Sequence, residues 1–149
     1  MGRPRTSDGI GVDTSAISAI VFDEPERQEF VDLISAAGTV LVSAAAVLEA
    51  RIVIHARRGS AGIILLNSLL SNDPFEIAPV TEHEAGIAYE AFIIYGKGNG
   101  HPAQLNFGDL FSYALAKSRG LPMLFKGDDF SQTDVINARS RRHPFPRDS

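Results

Sequence analysis

The chain predicts an α/β fold, a parallel sheet with helices on both faces. Two observations predict it. Short apolar or β-branched runs alternate with longer stretches of helical periodicity, the signature of strands joined by crossover helices. The length, 149 residues, suits one domain with one sizeable core, and 44% hydrophobic and 21% charged residues are ordinary globular proportions.

Composition narrows the function classes. The formal net charge of −4 argues against an all-over basic nucleic-acid binder, although charge can still be segregated locally. The chain has no cysteine, which removes disulfides, thiolate metal sites and thiol nucleophiles. No apolar run reaches the roughly 20 residues of a membrane span, and the start, Met1 to Thr6, lacks the apolar core of a signal peptide. A cytoplasmic protein without membrane association is therefore expected. Residues 1–9 read as a disordered leader, residues 10–138 as the folded domain, and residues 139–149 as a basic, mobile tail rich in Arg and Pro.

Ile10 to Val12 reads as a buried strand. Asp13 falls where that strand stops, and Thr14-Ser15 starts a short apolar helix reaching Phe22. In an open α/β sheet, ligands bind outside the carboxyl ends of the strands, so Asp13 stands where chemistry is placed. Its structural alternative is to cap the helix. Asp23-Glu24-Pro25-Glu26 is a helix start, with acids and a proline in the first turn; that helix runs to Ala37 and ends at Gly38. Thr39 to Val42 is a second buried strand.

Ser43 caps a helix from Ala44 to Arg58, closed by Gly59. At 100° per residue, Glu49 shares a face with Ala45, Ala46, Ile52, Val53 and Ala56, which should be buried. A carboxylate there must be paired, protonated or metal-bound; its structural alternative is an ion pair with Arg51 or Arg57. Ser60 to Asn72 is another helix, ended by Asp73-Pro74, and Phe75 to Val80 a strand. Thr81 to Glu84 matches a capping box. The helix that follows, to Tyr95, puts Ala85, Ala88, Tyr89 and Phe92 on one face, expected to be core.

Gly96 to Pro102 is a glycine-rich, mildly basic loop without the Gly-Lys-Ser/Thr ending of a P-loop. Asn106 caps a helix running to Ser118 and stopping at Gly120, with Asp109 three residues on, either bonding back as a capping box or serving a site. Leu121 to Phe125 is the last strand, followed by Lys126-Gly127-Asp128-Asp129-Phe130, and Thr133 to Val135 starts a last short element. His55, His83, His101 and His143 share no spacing on any element, so no zinc site or Ser-His-Asp set is read.

In a parallel sheet the strand ends meet along one edge. Asp13 and Asp128 follow strands, Glu49 lies in the helix after the second strand, and Asp109 near the start of the helix before the last. Carboxylates so gathered repel unless cations neutralise them, and hard oxygen ligands suit Mg²⁺ or Mn²⁺, the setting of metal-assisted phosphodiester hydrolysis.

The ordered motifs Val12-Asp13-Thr14-Ser15-Ala16, Glu49 after a Val-Ser strand end, Tyr95-Gly96-Lys97-Gly98, Leu105 to Asp109 with Ser112-Tyr113-Ala114, and Leu124 to Phe130 with Thr133-Asp134 resemble the PIN-domain nucleases, and within them VapC, the toxin of bacterial type II toxin–antitoxin pairs. The resemblance spans Ile10 to Asn137. It implies a three-layer α/β/α fold, Mg²⁺- or Mn²⁺-dependent cleavage of RNA, inhibition by a cognate VapB-type antitoxin, and a homodimer. It assigns Asp13, Glu49 and Asp109 to the acidic metal site. Many PIN domains carry a fourth acid in an Asp-x-Asp-Phe pattern where Gly127 stands here; Asp128 is the nearest substitute, with Asp129 and Asp134 behind it. Thr14 or Ser15 would orient an acid or touch phosphate, and Arg51, Lys97, Lys126 and the tail arginines would draw RNA to the pocket. The residues leave two other classes open: a phosphatase with Asp13 as nucleophile, and a non-catalytic PIN-like binding module.

Overall fold

A computed structural model describes residues 9–140. Strands Ile10–Val12 (β1), Val40–Ser43 (β2), Phe75–Ala78 (β3) and Met123–Leu124 (β4) form one sheet in the order β3-β2-β1-β4. Every pair is parallel, with Gly11 opposite both Leu41 and Met123. Thr14–Val21 (α1), Arg27–Ala36 (α2), Ala44–Leu70 (α3), Glu82–Tyr95 (α4) and Phe107–Arg119 (α5) cover it.

Alternation along the strands sorts the layers, because successive side chains point to opposite faces. Ile10, Val12, Val40, Val42 and Leu124 join the core made with α1, α2 and α3. Leu41 packs with Leu115 of α5, and Met123 joins the core of α4 and α5. The result is the expected three-layer α/β/α arrangement around a central parallel sheet. Among the described residues, no helix is long and apolar enough to cross a membrane.

Helix boundaries follow local chemistry. Ser43 accepts a hydrogen bond from the Ala45 N–H at 3.2 Å and starts α3. The two helices expected on either side of Gly59 run on as one interrupted element, with Gly59 non-helical at φ 60°, ψ −149°. Gly120, at φ 64°, closes α5 in the left-handed region that glycine enters without a Cβ clash.

Several expectations are corrected. Before Gly59 the buried stripe of α3 is Ala46, Val47, Ala50 and Ile54, while Ile52 is 62% exposed and Ala56 is exposed. The helix turns those residues toward α1, so Glu49 lies at the edge of the core and is half-buried. On α4, Ala88 and Ala91 face the core; Tyr89 is 64% exposed and Phe92 is also exposed. Small residues let α4 approach α5 closely, and the aromatics are left outside. The capping box at Thr81 is half-formed: Thr81 accepts the Glu84 N–H at 3.0 Å, but the buried Glu84 carboxylate accepts from Ser118 Oγ at 3.3 Å, tying α4 to α5. No helix or strand forms at Thr133 to Val135. That segment turns, and Asn137 then makes a parallel bridge to Met123.

The expected leader and tail lie outside the described residues, apart from Gly9, Arg139 and Ser140. Gly9 is buried. Arg139 forms a two-pronged hydrogen bond to Glu29, at 3.1 and 2.8 Å, with its guanidinium 5.2 Å from the centre of the Phe30 ring.

Candidate functional site

Three carboxylates come together at the carboxyl ends of β1 and β2. Asp13 follows β1 directly, and its backbone N–H bonds the carbonyl of Leu124, so the end of β4 fixes its position too. Its side chain caps α1: Oδ2 accepts from the Ser15 N–H at 3.0 Å and from Ser15 Oγ at 2.7 Å. Asp13 therefore caps α1, the structural alternative posed above, while its charge still acts on Glu49 and Asp109. Ser15 Oγ in turn accepts the backbone N–H of Lys126 at 3.0 Å. Because that N–H can only donate, the Ser15 proton is left for Asp13.

Thr14 is buried, and its hydroxyl donates to the Ala46 carbonyl at 3.0 Å, clamping the start of α1 to the first turn of α3. Glu49 follows on α3. Its carboxylate lies on the first turn of α5, beside Gly108. The next residue, Asp109, is 8% exposed. Asn106 and Asp109 close a full capping box, Asn106 N–H to Asp109 Oδ2 and Asp109 N–H to Asn106 Oδ1, both 3.0 Å. The box fixes the rotamer of Asp109 as it satisfies the helix end.

The charges of these acids act on one another. Burial raises the Asp109 carboxyl above its ordinary range; the Asn106 backbone N–H opposes this, and the charges of Asp13, Asp129 and Glu49 add to it, leaving it at about 7. Glu49 is also raised, first by desolvation and then by the charge of Asp13, with the Thr14 hydroxyl opposing. The forces raising both groups are desolvation and other carboxylates. The pair Glu49–Arg51 or Glu49–Arg57 expected as the structural alternative does not form; the Arg57 guanidinium lies 3.9 Å from the centre of the Phe22 ring.

The acids after β4 divide. Asp129 is exposed and acts on Asp109. Asp128 is exposed, and its carbonyl accepts from the N–H and hydroxyl of Ser131. Asp134 is engaged elsewhere: Tyr113 OH donates to Oδ1 at 2.7 Å and Lys117 Nζ bonds Oδ2. Lys126, expected as an RNA-attracting cation, has its ammonium held by Glu24 at 2.8 Å and Glu26 at 3.2 Å. Its backbone N–H, not its charge, reaches the site. Arg51 and Lys97 are exposed.

Sequence reasoning missed Gly108 and the Lys126 backbone. A glycine in the first turn of a helix, where alanine would be the better former, is a local signal for Gly108. A backbone donor leaves no trace in residue type.

Among the described residues, no three His, Cys, Asp or Glu side chains stand closed up as a metal cluster. The donor chemistry nonetheless fits a hard divalent cation. Asp13, Glu49 and Asp109 offer only oxygens, and two of them resist ionisation as they stand.

Residues 10–136 match the family model described as the PIN domain. Ribonuclease VapC28 of Mycobacterium tuberculosis is 44% identical over 131 residues, covering 88% of this chain and 98% of the relative. Ribonuclease VapC30 of the same species is 43% identical over 124 residues, 83% of this chain and 94% of that one. Among solved structures, Mycobacterium tuberculosis VapC20, described as a sarcin-ricin loop cleaving toxin, superposes with a TM-score of 0.70 at 18% identity, covering 85% of this chain and 96% of that chain. This last likeness concerns the fold.

Proposed function

The chain belongs to the PIN-domain family and, within it, to the VapC ribonucleases, and from this we propose that it is the toxin of a type II toxin–antitoxin pair: a metal-dependent endoribonuclease that inhibits translation and growth and is neutralised by a VapB-type antitoxin. The observation that carries the reading is the meeting of Asp13, Glu49 and Asp109, with Asp109 raised to about 7 chiefly by burial and then by its acidic neighbours.

Asp13, Glu49 and Asp109 would hold the cation, Mg²⁺ or Mn²⁺. The fourth acid in this reading comes from the loop after β4: Asp128, as expected above, or its neighbour Asp129, whose charge reaches Asp109, since Asp134 is bound to Tyr113 and Lys117. When bound, the cation supplies Lewis acidity, offsetting charge on the scissile phosphate and lowering the pKa of the attacking water. Asp13 and Asp109 are each held by a hydrogen-bonded support, and the helix carrying Glu49 is anchored at its start. Ser15 orients Asp13, Thr14 ties the start of α1 to α3 beneath Glu49, and Asn106 sets Asp109. Such preorganisation of Asp13 and Asp109 limits the rearrangement that the reaction requires.

The substrate proposed is an RNA loop, as in a transfer or ribosomal RNA, because single-stranded loops splay out bases that a protein can read. VapC20, named for cleaving the sarcin-ricin loop, supports that class. The structures of VapBC2 from Rickettsia felis and of a toxin–antitoxin complex from Klebsiella pneumoniae share the fold and support the antitoxin partner. A homodimer is part of the same reading.

Induced expression in a bacterial host tests it. Wild type should arrest growth and yield discrete RNA fragments, and Asp13→Asn, expressed equally, should do neither. Arrest by Asp13→Asn as strong as wild type contradicts the reading.

A further inference from the structure

The Glu49 carboxylate occupies the space a side chain at position 108 would need. A Cβ built on Gly108 would stand 2.6 Å from Oε1, 2.6 Å from Oε2 and 2.7 Å from Cδ of Glu49. These are far inside van der Waals contact, which for heavy atoms is near 3.5 Å. Gly108 lies inside α5 and is absent from the positive-φ positions, so the backbone does not require glycine there. Helix propensity does not call for glycine either: alanine is the better helix former, by up to about 1 kcal/mol in a helix interior and less in a first turn such as this. What glycine provides at 108 is room.

We propose that Gly108 is a positioning residue: its bare Cα is the seat that places the Glu49 carboxylate against the first turn of α5, beside Asp109. The inference rests on the ribonuclease reading for its consequence, but its geometry stands apart from it. Glu49 approaches from α3 and Asp109 from α5, so their relative placement depends on how closely Glu49 can lie on α5. Any side chain at 108 pushes the carboxylate away. Because the displaced group is the free end of a flexible side chain, the fold yields there at little cost. Gly108→Ala should therefore separate site geometry from stability.

The test uses the full chain as wild type, Gly108→Ala, Glu49→Ala and the double variant, with three readouts: thermal unfolding, Mn²⁺ affinity by calorimetry, and the metal-free crystal structure of Gly108→Ala. The melting temperature of Gly108→Ala should equal or exceed that of wild type. Its Glu49 carboxylate should move by more than 1 Å, and Mn²⁺ should bind about tenfold or more weakly, the usual loss when a ligand's support is altered. In the Glu49→Ala background the same substitution should change Mn²⁺ affinity less than twofold. A carboxylate still seated against residue 108, or a Gly108→Ala loss that persists undiminished without Glu49, overturns the inference. Failure of wild type itself to bind Mn²⁺ overturns the ribonuclease reading, and the crystal structure then decides the seating alone.

Discussion

The Ser15 hydroxyl donates to the Asp13 carboxylate at 2.7 Å while accepting the backbone N–H of Lys126. One small side chain thus joins the end of β1 to the loop after β4, which carries Asp128 and Asp129. Ser15→Ala removes the donor to Asp13 and strands the Lys126 N–H. The expected loss is about 1–2 kcal/mol of stability, read by urea unfolding, together with a fall in cleavage rate. Ser15→Thr keeps the hydroxyl and should retain most of both.

Asp109 gives the protein a stability that depends on pH. Its carboxyl sits at about 7 in the fold against an ordinary 3.8, first because it is buried. The folded chain then binds this proton more tightly than the unfolded chain. Stability is fully kept below about pH 4, falls as pH rises toward 7, and stays lowered above it. In EDTA, Asp109→Asn should flatten that fall and raise stability at pH 8 by on the order of 2 kcal/mol, less than full linkage gives because neighbouring acids share the titration. Thermal unfolding at pH 5 and pH 8 checks it.

The same carboxyl predicts the pH dependence of activity. A proton and a cation compete for Asp109, so metal binding improves as pH rises through about 7. At limiting Mg²⁺, cleavage should rise between pH 6 and pH 8, and saturating Mg²⁺ should shift the midpoint lower. A midpoint indifferent to Mg²⁺ concentration contradicts the assignment.

The loop after β4 separates its acids by their partners. Asp129→Asn should reduce cleavage about tenfold or more, on the scale of altered metal-site support. Asp128→Asn should have a smaller effect. Asp134→Asn weakens bonds to Tyr113 and Lys117 and should cost about 1 kcal/mol of stability while leaving most of the activity. Parallel rates and melting temperatures for the three variants decide which acid serves the site.

The layered fold was legible because the strands are short, apolar and separated by capped helices. Asp13, Glu49 and Asp109 could be singled out because the first follows a strand end, the second interrupts an apolar helix and the third opens a helix. The orientation of α3 was not: Ile52 and Ala56 are apolar, and residue type alone does not say which stripe α1 covers. On α4, Tyr89 and Phe92 were expected inside for the same reason, whereas the alanines make the close contact. The engagement of Asp134 by Tyr113 and Lys117 is a contact across 21 and 17 residues, invisible to local spacing. The role of Gly108 required knowing that Glu49 arrives from another helix.

Cleavage of a small-RNA pool by purified protein, in Mg²⁺ or Mn²⁺ against EDTA, with Glu49→Gln alongside, bears most directly on the acidic centre. Discrete fragments that need both the cation and Glu49, with ends mapping to loops, are the predicted result. Fragments that persist in EDTA, or that Glu49→Gln yields at the wild-type rate, would contradict a metal-dependent site built on these acids.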